Sequence, residues 1–550
     1  MRRMAIWLGL LAVVAWGVAW AQEGVTTGSI FGKVVDPQGA PLPGATVTAT
    51  SETGVKRSAV TDANGEFSIP FLTPGRYDVE VRLEGFAPFK APVTLSPGQR
   101  ITLNVTLQPG AEVVVTAAPV VDITATTVGT TVTDELMRSV PVGRTFSAVT
   151  YISPQVVTGP AAVGAPNPSI AGATGLENIY IVDGVNITNA AYGALGSYSI
   201  ILGSLGTGIN FDYVKEVQVK TGGYEAEFGE ALGGVINVIT KSGGNTFTGD
   251  VFGYIQPKAL EAKREHIKLV QVPEVWTRGT QQFDVGFDAG GKLVQDKLFW
   301  FLAFDPTWHQ VERVAPPGFP LSPCGSGEEF CEKPGHTTTR RIYNYAGKLT
   351  FNVNPNHILE VSLFGDPGVG DKGLWRESSF LRDVQANVEE ALRFGGHNQV
   401  GRWTGMFGSN LLIEAQLANH FDEMTEKDYA DIESIVDLRT TPSRLYGGLG
   451  YAAVDKNRNL QGTLKLTYIV PNLAGRHEFK IGGNFQRLEY EHTTNYTGPR
   501  YCFQFRDPAT GVIKEKCTTT GNVIRWRTYD NPLCVALGGF ARPCARVDLR

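Results

Sequence analysis

The sequence predicts an all-β protein in three parts: a small β-sandwich, a compact α+β segment, and a series of long antiparallel strands of the kind that build membrane barrels. Three observations carry this. Apolar residues alternate with polar ones at period two along much of the chain, as in Tyr77, Val79, Val81 and Leu83 against Asp78, Glu80 and Arg82. Turn-forming residues punctuate the strands, with 64 Gly and 31 Pro in 550 residues. The connections in the second half alternate between short and long, which is the pattern of strands that turn tightly on one side of a membrane and loosely on the other.

The chain opens with an export signal. Arg2 and Arg3 precede an uncharged apolar run from Ile6 to Trp20, and Ala19-Trp20-Ala21 offers small residues at the positions a signal peptidase reads. Residues 1–21 are therefore assigned to a signal peptide cleaved before Gln22. The run is short for a spanning helix, which needs ~20 residues. No later segment is long and apolar enough to replace it, so membrane residence would require a barrel. The net charge of −5 lacks the basic excess of a nucleic-acid surface, so no nucleic-acid partner is expected. Six cysteines in an exported chain (Cys324, Cys331, Cys502, Cys517, Cys534 and Cys544) are expected to form disulfides. Their pairing stays open.

Residues 24–109 are expected to fold as the sandwich. Asp36-Pro37-Gln38-Gly39, Asp62-Ala63-Asn64-Gly65 and Thr73-Pro74-Gly75 are turns, and Ile101, Leu103, Val105 and Leu107 mark a last half-buried strand. The stretches Gly32-Lys33-Val34-Val35-Asp36, Pro43-Gly44-Ala45-Thr46-Val47, Thr61 to Phe67 and Pro74-Gly75-Arg76-Tyr77 resemble the carboxypeptidase regulatory-like domain. That resemblance implies a fold, not an activity.

A linker, 110–126, contains Glu112-Val113-Val114-Val115-Thr116-Ala117. It resembles a TonB box, an extended segment offered to the edge of a partner sheet through main-chain hydrogen bonds, a task that suits β-branched residues. The same residues would equally serve as a last sandwich strand or a plain linker.

Residues 127–243 carry an ordered set of motifs. Val140-Pro141-Val142-Gly143-Arg144 is followed by Ile179-Tyr180-Ile181-Val182-Asp183-Gly184-Val185 and Val214-Lys215-Glu216-Val217-Gln218-Val219. Then come Gly222-Gly223-Tyr224-Glu225-Ala226-Glu227-Phe228-Gly229 and Gly233-Gly234-Val235-Ile236-Asn237-Val238-Ile239-Thr240-Lys241. The series resembles the plug domain of TonB-dependent receptors, in particular the Oar-like branch with an N-terminal regulatory-like domain. Asp183-Gly184 suits a tight turn, and Gly233-Gly234 suits close backbone approach before a strand. The resemblance implies that the plug blocks a pore and that its charged residues, among them Glu216, Glu227 and Lys241, meet the barrel wall.

After Lys241, strands are predicted near 246–256, 281–291, 297–310, 341–352, 357–366, 397–407, 411–422, 459–470 and 476–490. Short connections fall at 293–296, 354–356, 408–410 and 471–476. Long ones fall at 257–280, 311–340, 367–396, 423–458 and beyond 490. If the first strand runs outward, every cysteine lies in an external connection. Residues 244–550 thus read as the first part of a transmembrane antiparallel barrel, for which the resemblance implies about 22 strands in a complete member. Some nine strands cannot close around a plug, so the sequence is expected to be truncated within the barrel. Asp284, Asp288 and Glu360 are expected to line the lumen. Trp300, Trp308, Tyr343, Tyr345 and Trp403 are expected in the interfacial girdles, and Trp276, Trp375, Tyr446 and Tyr451 in ligand-facing loops.

No nucleophile elbow, P-loop or zinc-helix motif occurs, so neither catalysis nor a metal or other cofactor is expected. The expected function is ligand-gated active import across an outer membrane. The partners implied by the resemblance are TonB with ExbB and ExbD, membrane lipid and an unidentified external ligand, with the sandwich and linker on the periplasmic side. The alternative is a non-transporting outer-membrane binding or adhesion protein of the same architecture. An exported peptidase with a regulatory-like domain lacks the motifs it would need.

Overall fold

The computed structural model describes residues 26–110 and 128–496 apart from 142, 144, 159–166, 200–201, 207–208, 225–227, 230, 263–275, 326–332, 372, 376–389, 409, 429–433, 438–443, 448–450 and 471–476; beyond 496 it describes 502–506, 513–517, 524–528 and 545–548. The expected signal segment, the Glu112 to Ala117 segment, Glu227, Cys331, Cys534 and Cys544 lie outside these residues.

The N-terminal module is a sandwich of two sheets. One contains β1 (Gly28–Val35), β4 (Glu66–Leu72), β7 (Arg100–Thr102) and β8 (Val105–Thr106). The other contains β2 (Thr46–Ser51), β3 (Lys56–Val60), β5 (Gly75–Arg82) and β6 (Phe89–Leu95) in the order β3-β2-β5-β6. Alternation along each strand delivers Ile30, Val34, Val47, Phe67, Ile69, Val79, Val81, Leu95 and Ile101 to one shared core. Turns fix the register: Asp62 Oδ1 accepts from the backbone N–H groups of Asn64 and Glu66 at 2.8 and 2.9 Å. The single strand expected across 101–107 is two, β7 and β8, each parallel to β1.

The second module begins with β9 (Val128–Thr133) and the short helix α1 (Asp134–Ser139), whose N-cap Thr133 accepts from Leu136 N–H and whose first turn carries Asp134 and Glu135. The helix α2 (Phe146–Val149) and the strand pairs β10 (Val156–Val157) with β11 (Ser169–Ile170) follow. Then come β12 (Ile179–Val182), β13 (Val185–Asn186), β14 (Tyr198–Ser199), β15 (Gly203–Ser204), β16 (Val214–Gly222) and β17 (Val235–Thr240). The central sheet runs β13-β12-β17-β16-β9, with β12 parallel to β17 and the other neighbours antiparallel. Every residue of β12 and β17 is buried, so this sheet is covered on both faces.

One covering layer is a large sheet of up-and-down strands: β18 (Thr248–Gln256), β19 (Trp276–Val294), β20 (Leu298–Val314), β21 (His336–Asn354), β22 (His357–Gly365), β24 (Glu390–Phe407), β25 (Leu411–Asp428), β28 (Tyr451–Val470) and β29 (His477–Tyr496), all antiparallel. Strand β23 (Gly368–Gly370) continues β22 after a break at Asp366-Pro367, where Tyr343 N–H donates to Pro367 O. Among the described residues β18 and β29 do not pair, so the sheet is open.

Seven of these strands run past their expected ends, several to between 17 and 20 residues. The residues expected to be pure loop also hold strands. β26 (Ser434–Asp437) and β27 (Arg444–Gly447) join β32 (Ile524–Thr528) and β33 (Ala545–Asp548) in one sheet, and β30 (Cys502–Arg506) pairs with β31 (Ile513–Cys517). The β30–β31 register sets Cys502 opposite Cys517. Cys324 is disulfide-bonded.

The two faces of the large sheet separate it from a soluble sandwich. Its inward face buries many polar side chains, including Asp284, Asp288, Asp305, Asn344, Lys348, Arg402, Gln416 and Gln461. Its opposite face exposes a run of apolar side chains: Val285, Phe287, Leu302, Leu349, Val361, Leu417, Leu464 and Phe485. Water would penalise such a face, and hydrocarbon would not. Trp300 and Trp308, half-buried on that outer side of β20, are eight residues apart, about 26 Å along a strand. This separation suits the two rims of an apolar band. No described helix is long and apolar enough to cross a membrane, a fact silent on strands.

Candidate functional site

The seam between the central module and the large sheet is where the sequence motifs converge. It begins at the β12–β13 hairpin. Asp183 and Gly184 both adopt left-handed backbone, with φ of 47° and 84°, as a two-residue hairpin turn requires. A Cβ on Gly184 would stand 2.6 Å from Arg402 Nη2 and from Gln416 Oε1, so close approach adds a second requirement for glycine.

Wall side chains grip this turn from four strands. Lys348 Nζ of β21 donates to Asp183 Oδ1 at 3.1 Å. Arg402 Nη2 of β24 donates to the Asp183 carbonyl at 2.6 Å, while Gln416 Nε2 of β25 donates to the Gly184 carbonyl at 2.7 Å. Gln461 of β28 mimics a strand, accepting from Asn186 N–H at 3.0 Å and donating to Asn186 O at 2.9 Å. Within the central module, Thr240 donates to Asp183 through its N–H at 3.0 Å and its hydroxyl at 2.6 Å. Burial pushes the Asp183 carboxyl up. The Lys348 ammonium and the Thr240 bonds outweigh it, so the group lies below the ordinary carboxylate range.

Further polar contacts line the same seam. Lys241 pairs with Asp288 of β19 at 2.7 Å, and Asn210 Nδ2 donates to Asp305 of β20. Arg402 also pairs with Glu360 of β22 at 3.2 Å, so Glu360 is engaged at the lumen side. Farther along the seam Ser197 Oγ accepts from Gly395 N–H at 3.0 Å. Close-packed glycines do the remaining positioning: a Cβ on Gly233 or Gly234 would meet Asn178 Oδ1 at 2.4 Å or Ile170 at 2.6 Å. The Tyr224 hydroxyl donates to Gly233 O, Asn237 is fully buried in β17, and Gly229 follows the buried Phe228.

Two expectations are corrected. Glu216 does not face the wall. It lies on the face of β16 that looks toward the sandwich, beside Gln218, whose Nε2 donates to Pro97 O at 3.3 Å. It is buried and hydrogen-bonded with Ser96, with Oε1 unpartnered, and burial pushes its pKa up to about 8. Trp375 is not an exposed ligand contact. Its ring is packed in a cluster with Leu205, Leu392, Phe394 and Met424, because β23 folds the connection back over the end of the lumen.

Sequence reasoning also missed the docking of the sandwich. Glu52 pairs with Lys215 of β16 at 2.6 Å, Arg57 Nη2 donates to Asn352 of β21 at 2.7 Å, and Thr53 O accepts from Thr246 N–H at 3.2 Å. These contacts enclose a cavity of about 440 Å³ lined by residues of all three parts, including Glu52, Arg76, Lys215, Lys241, Asp288 and Arg402. Charge is nearly balanced across it. Only a sequence signal for partner surfaces, which period-two alternation does not carry, could have located it. Among the described residues no three His, Cys, Asp or Glu side chains gather as a metal site.

Residues 29–108 match the carboxypeptidase regulatory-like domain family. The chain is 28% identical to the TonB-dependent transporter Oar of Myxococcus xanthus, over 88% of this chain and 52% of that protein. The chain thus spans about half the length of the curated relative it matches. Its fold is similar to that of the outer membrane transporter YddB from Escherichia coli, with a TM-score of 0.52 at 14% identity over 72% of this chain and 52% of that one. The siderophore receptor PirA from Acinetobacter baumannii aligns over 66% of this chain and 48% of that one, at 14% identity and a TM-score of 0.45.

Proposed function

We propose that this homologue of TonB-dependent transporters acts in ligand-gated import across an outer membrane, with residues 128–243 as the plug and the β18–β29 sheet as part of the surrounding wall. The observation that carries the reading is the grip of Lys348, Arg402, Gln416 and Gln461 on the Asp183-Gly184 hairpin. A blocking domain held by an apolar core alone would be hard to move, since separation exposes that core to water. Hydrogen bonds and ion pairs can instead be exchanged for water as the domain shifts, so a polar seam suits a plug that must both seal and yield.

In this reading an external molecule engages the outer connections and the plug apex around Leu202 and Leu205. TonB, energised through ExbB and ExbD, takes hold of Glu112 to Ala117 on the periplasmic side. Ligand binding biases exposure of that segment, and pulling on it loosens the seam. The sandwich and linker then lie in the periplasm and the exposed apolar face of the wall lies in lipid.

The test is site-specific photocrosslinking from each of residues 112–117 to TonB in cells carrying the full chain. Crosslinks that strengthen with an added culture extract containing the ligand support import. The absence of a TonB crosslink from all six positions would sink it and favour a binding or adhesion role for the same architecture.

A further inference from the structure

Near the outer end of the lumen the wall gathers basic side chains on two neighbouring strands. His309 of β20 and Arg340 of β21 are direct antiparallel partners. Both sit on the lumen face, in step with the buried Thr307, Thr338 and Asn344. Arg313, further out on that face, donates through Nη1 to Thr338 at 3.1 Å. Taking a cation out of water is costly unless it is paired. Arg340 Nε is nevertheless buried without a hydrogen-bond partner, and Arg340 has no carboxylate in ion-pair reach among the described residues.

Acids on these strands and the adjoining connection are engaged elsewhere. Asp305 takes Asn210, Asp371 pairs with Arg341 at 2.9 Å, and Glu312 pairs with Lys258. By contrast the deeper lumen cations Lys348, Lys241 and Arg402 have Asp183, Asp288 and Glu360. What holds Arg340 is an aromatic ring. Its Cζ lies 5.0 Å from the ring centre of Trp375. That ring is itself fixed, with Nε1 donating to Asp371 O at 3.1 Å and its six-membered edge laid on Gly370. A cation–π contact offsets only part of the cost of taking a guanidinium out of water, but it leaves the guanidinium's donor edge free and pre-aimed.

We propose that Arg340, flanked by His309 and Arg313, is a binding site for an oxyanion group, carboxylate or phosphate, on a molecule that enters the lumen from the outer side. The planar guanidinium fork matches both groups, and an anion there would offset the cost of burying the Arg340 charge. Trp375 shares its apolar cluster with Leu205 of the plug, so occupancy is felt at the plug apex. Calling the bound molecule cargo rests on the import reading; binding itself does not.

The test is isothermal titration of the purified full chain in detergent with citrate, with inorganic phosphate and with glucose. At least one anion is expected to bind saturably and glucose is not. Arg340→Gln should weaken binding about tenfold or more, whereas Lys292→Gln, an exposed charge at the opposite end of the wall, should not. In anion-free buffer Arg340→Gln should melt no lower than the unmodified protein, because it removes a buried charge with an unpartnered donor, and added anion should raise the melting point of the unmodified protein alone. Saturation by citrate only marks a carboxylate site and by phosphate only a phosphate site. No saturable binding of either, equal binding by Arg340→Gln, or a lower anion-free melting point for that variant would overturn the proposal. Anion binding without a TonB crosslink would leave the site standing and remove the import reading; a crosslink without anion binding would do the reverse.

Discussion

Asp183 and Glu216 are both buried carboxyls of the plug, and their surroundings drive them in opposite directions. Asp183 has Lys348 and two Thr240 donors, so its ionised form is retained and its contribution fades only as pH falls below the ordinary carboxylate range. Lys348→Met would strand that charge in a dry seam. We expect a loss of about 3–5 kcal/mol in thermal or denaturant unfolding, largely recovered in the Lys348→Met, Asp183→Asn double variant. Glu216 has Ser96 and an unpartnered oxygen, and its pKa rises from 4.5 to about 8. A raised folded-state value means that its share of stability is intact below about pH 4.5 and is lost progressively as pH climbs to about 8. Glu216→Gln is therefore expected to flatten the fall in melting temperature between pH 5 and 8 and to be the more stable protein at the upper end. An unchanged slope would show that another group carries the dependence. The turn at Asp183-Gly184 was readable in the sequence because left-handed backbone leaves few residue choices. The environment of Glu216 was not: alternation tells which face of β16 a residue occupies, but not that a sandwich covers that face.

At the scale of elements, the hairpin and the strands were legible to different depths. The β12–β13 turn tolerates nothing larger than glycine at 184, so Gly184→Ala should cost about 1–2 kcal/mol from backbone strain alone. It should also raise proteolytic susceptibility of the plug in the intact protein; a plug as protected as before would mean that Arg402 and Gln416 simply swing aside. Connection lengths placed the short turns correctly because the register of each antiparallel pair closes on two to six residues. Strand ends were read too short. Exposed apolar alternation marks only part of each strand, whereas main-chain pairing continues through stretches such as Glu423 to Asp428 opposite Glu390 to Gly395, whose apolar Leu392, Phe394 and Met424 are buried. Trp375 was misplaced for a related reason. A tryptophan in a long connection looks exposed until β23 returns the chain to the wall and lays the ring on Gly370.

For the molecule as a whole, the inverted distribution of polarity across the wall is the property with the widest reach. Leu302, mid-strand and 54% exposed, stands on the exposed apolar face of the wall. Leu302→Arg should cost about 2–4 kcal/mol of insertion and shift the chain from the floating to the sedimenting fraction in vesicle flotation, while Leu302→Ala should float. The three-part organisation was legible because each part has its own periodicity and turn chemistry. How the parts meet was not, since Glu52–Lys215 and Arg57–Asn352 join residues far apart in sequence through surfaces with no pattern of their own. The strand order β13-β12-β17-β16-β9 has a mechanical corollary. The strand that follows the linker is the outermost of its sheet and is attached through one ladder only, to β16. Tension applied between the sandwich and Val128 therefore reaches that ladder before any other part of the plug, and loads it from its free end. A sheet loaded in this way opens like a zip, one rung after another, so a small sustained force could undo it where the same force applied to a central strand would meet many rungs in parallel.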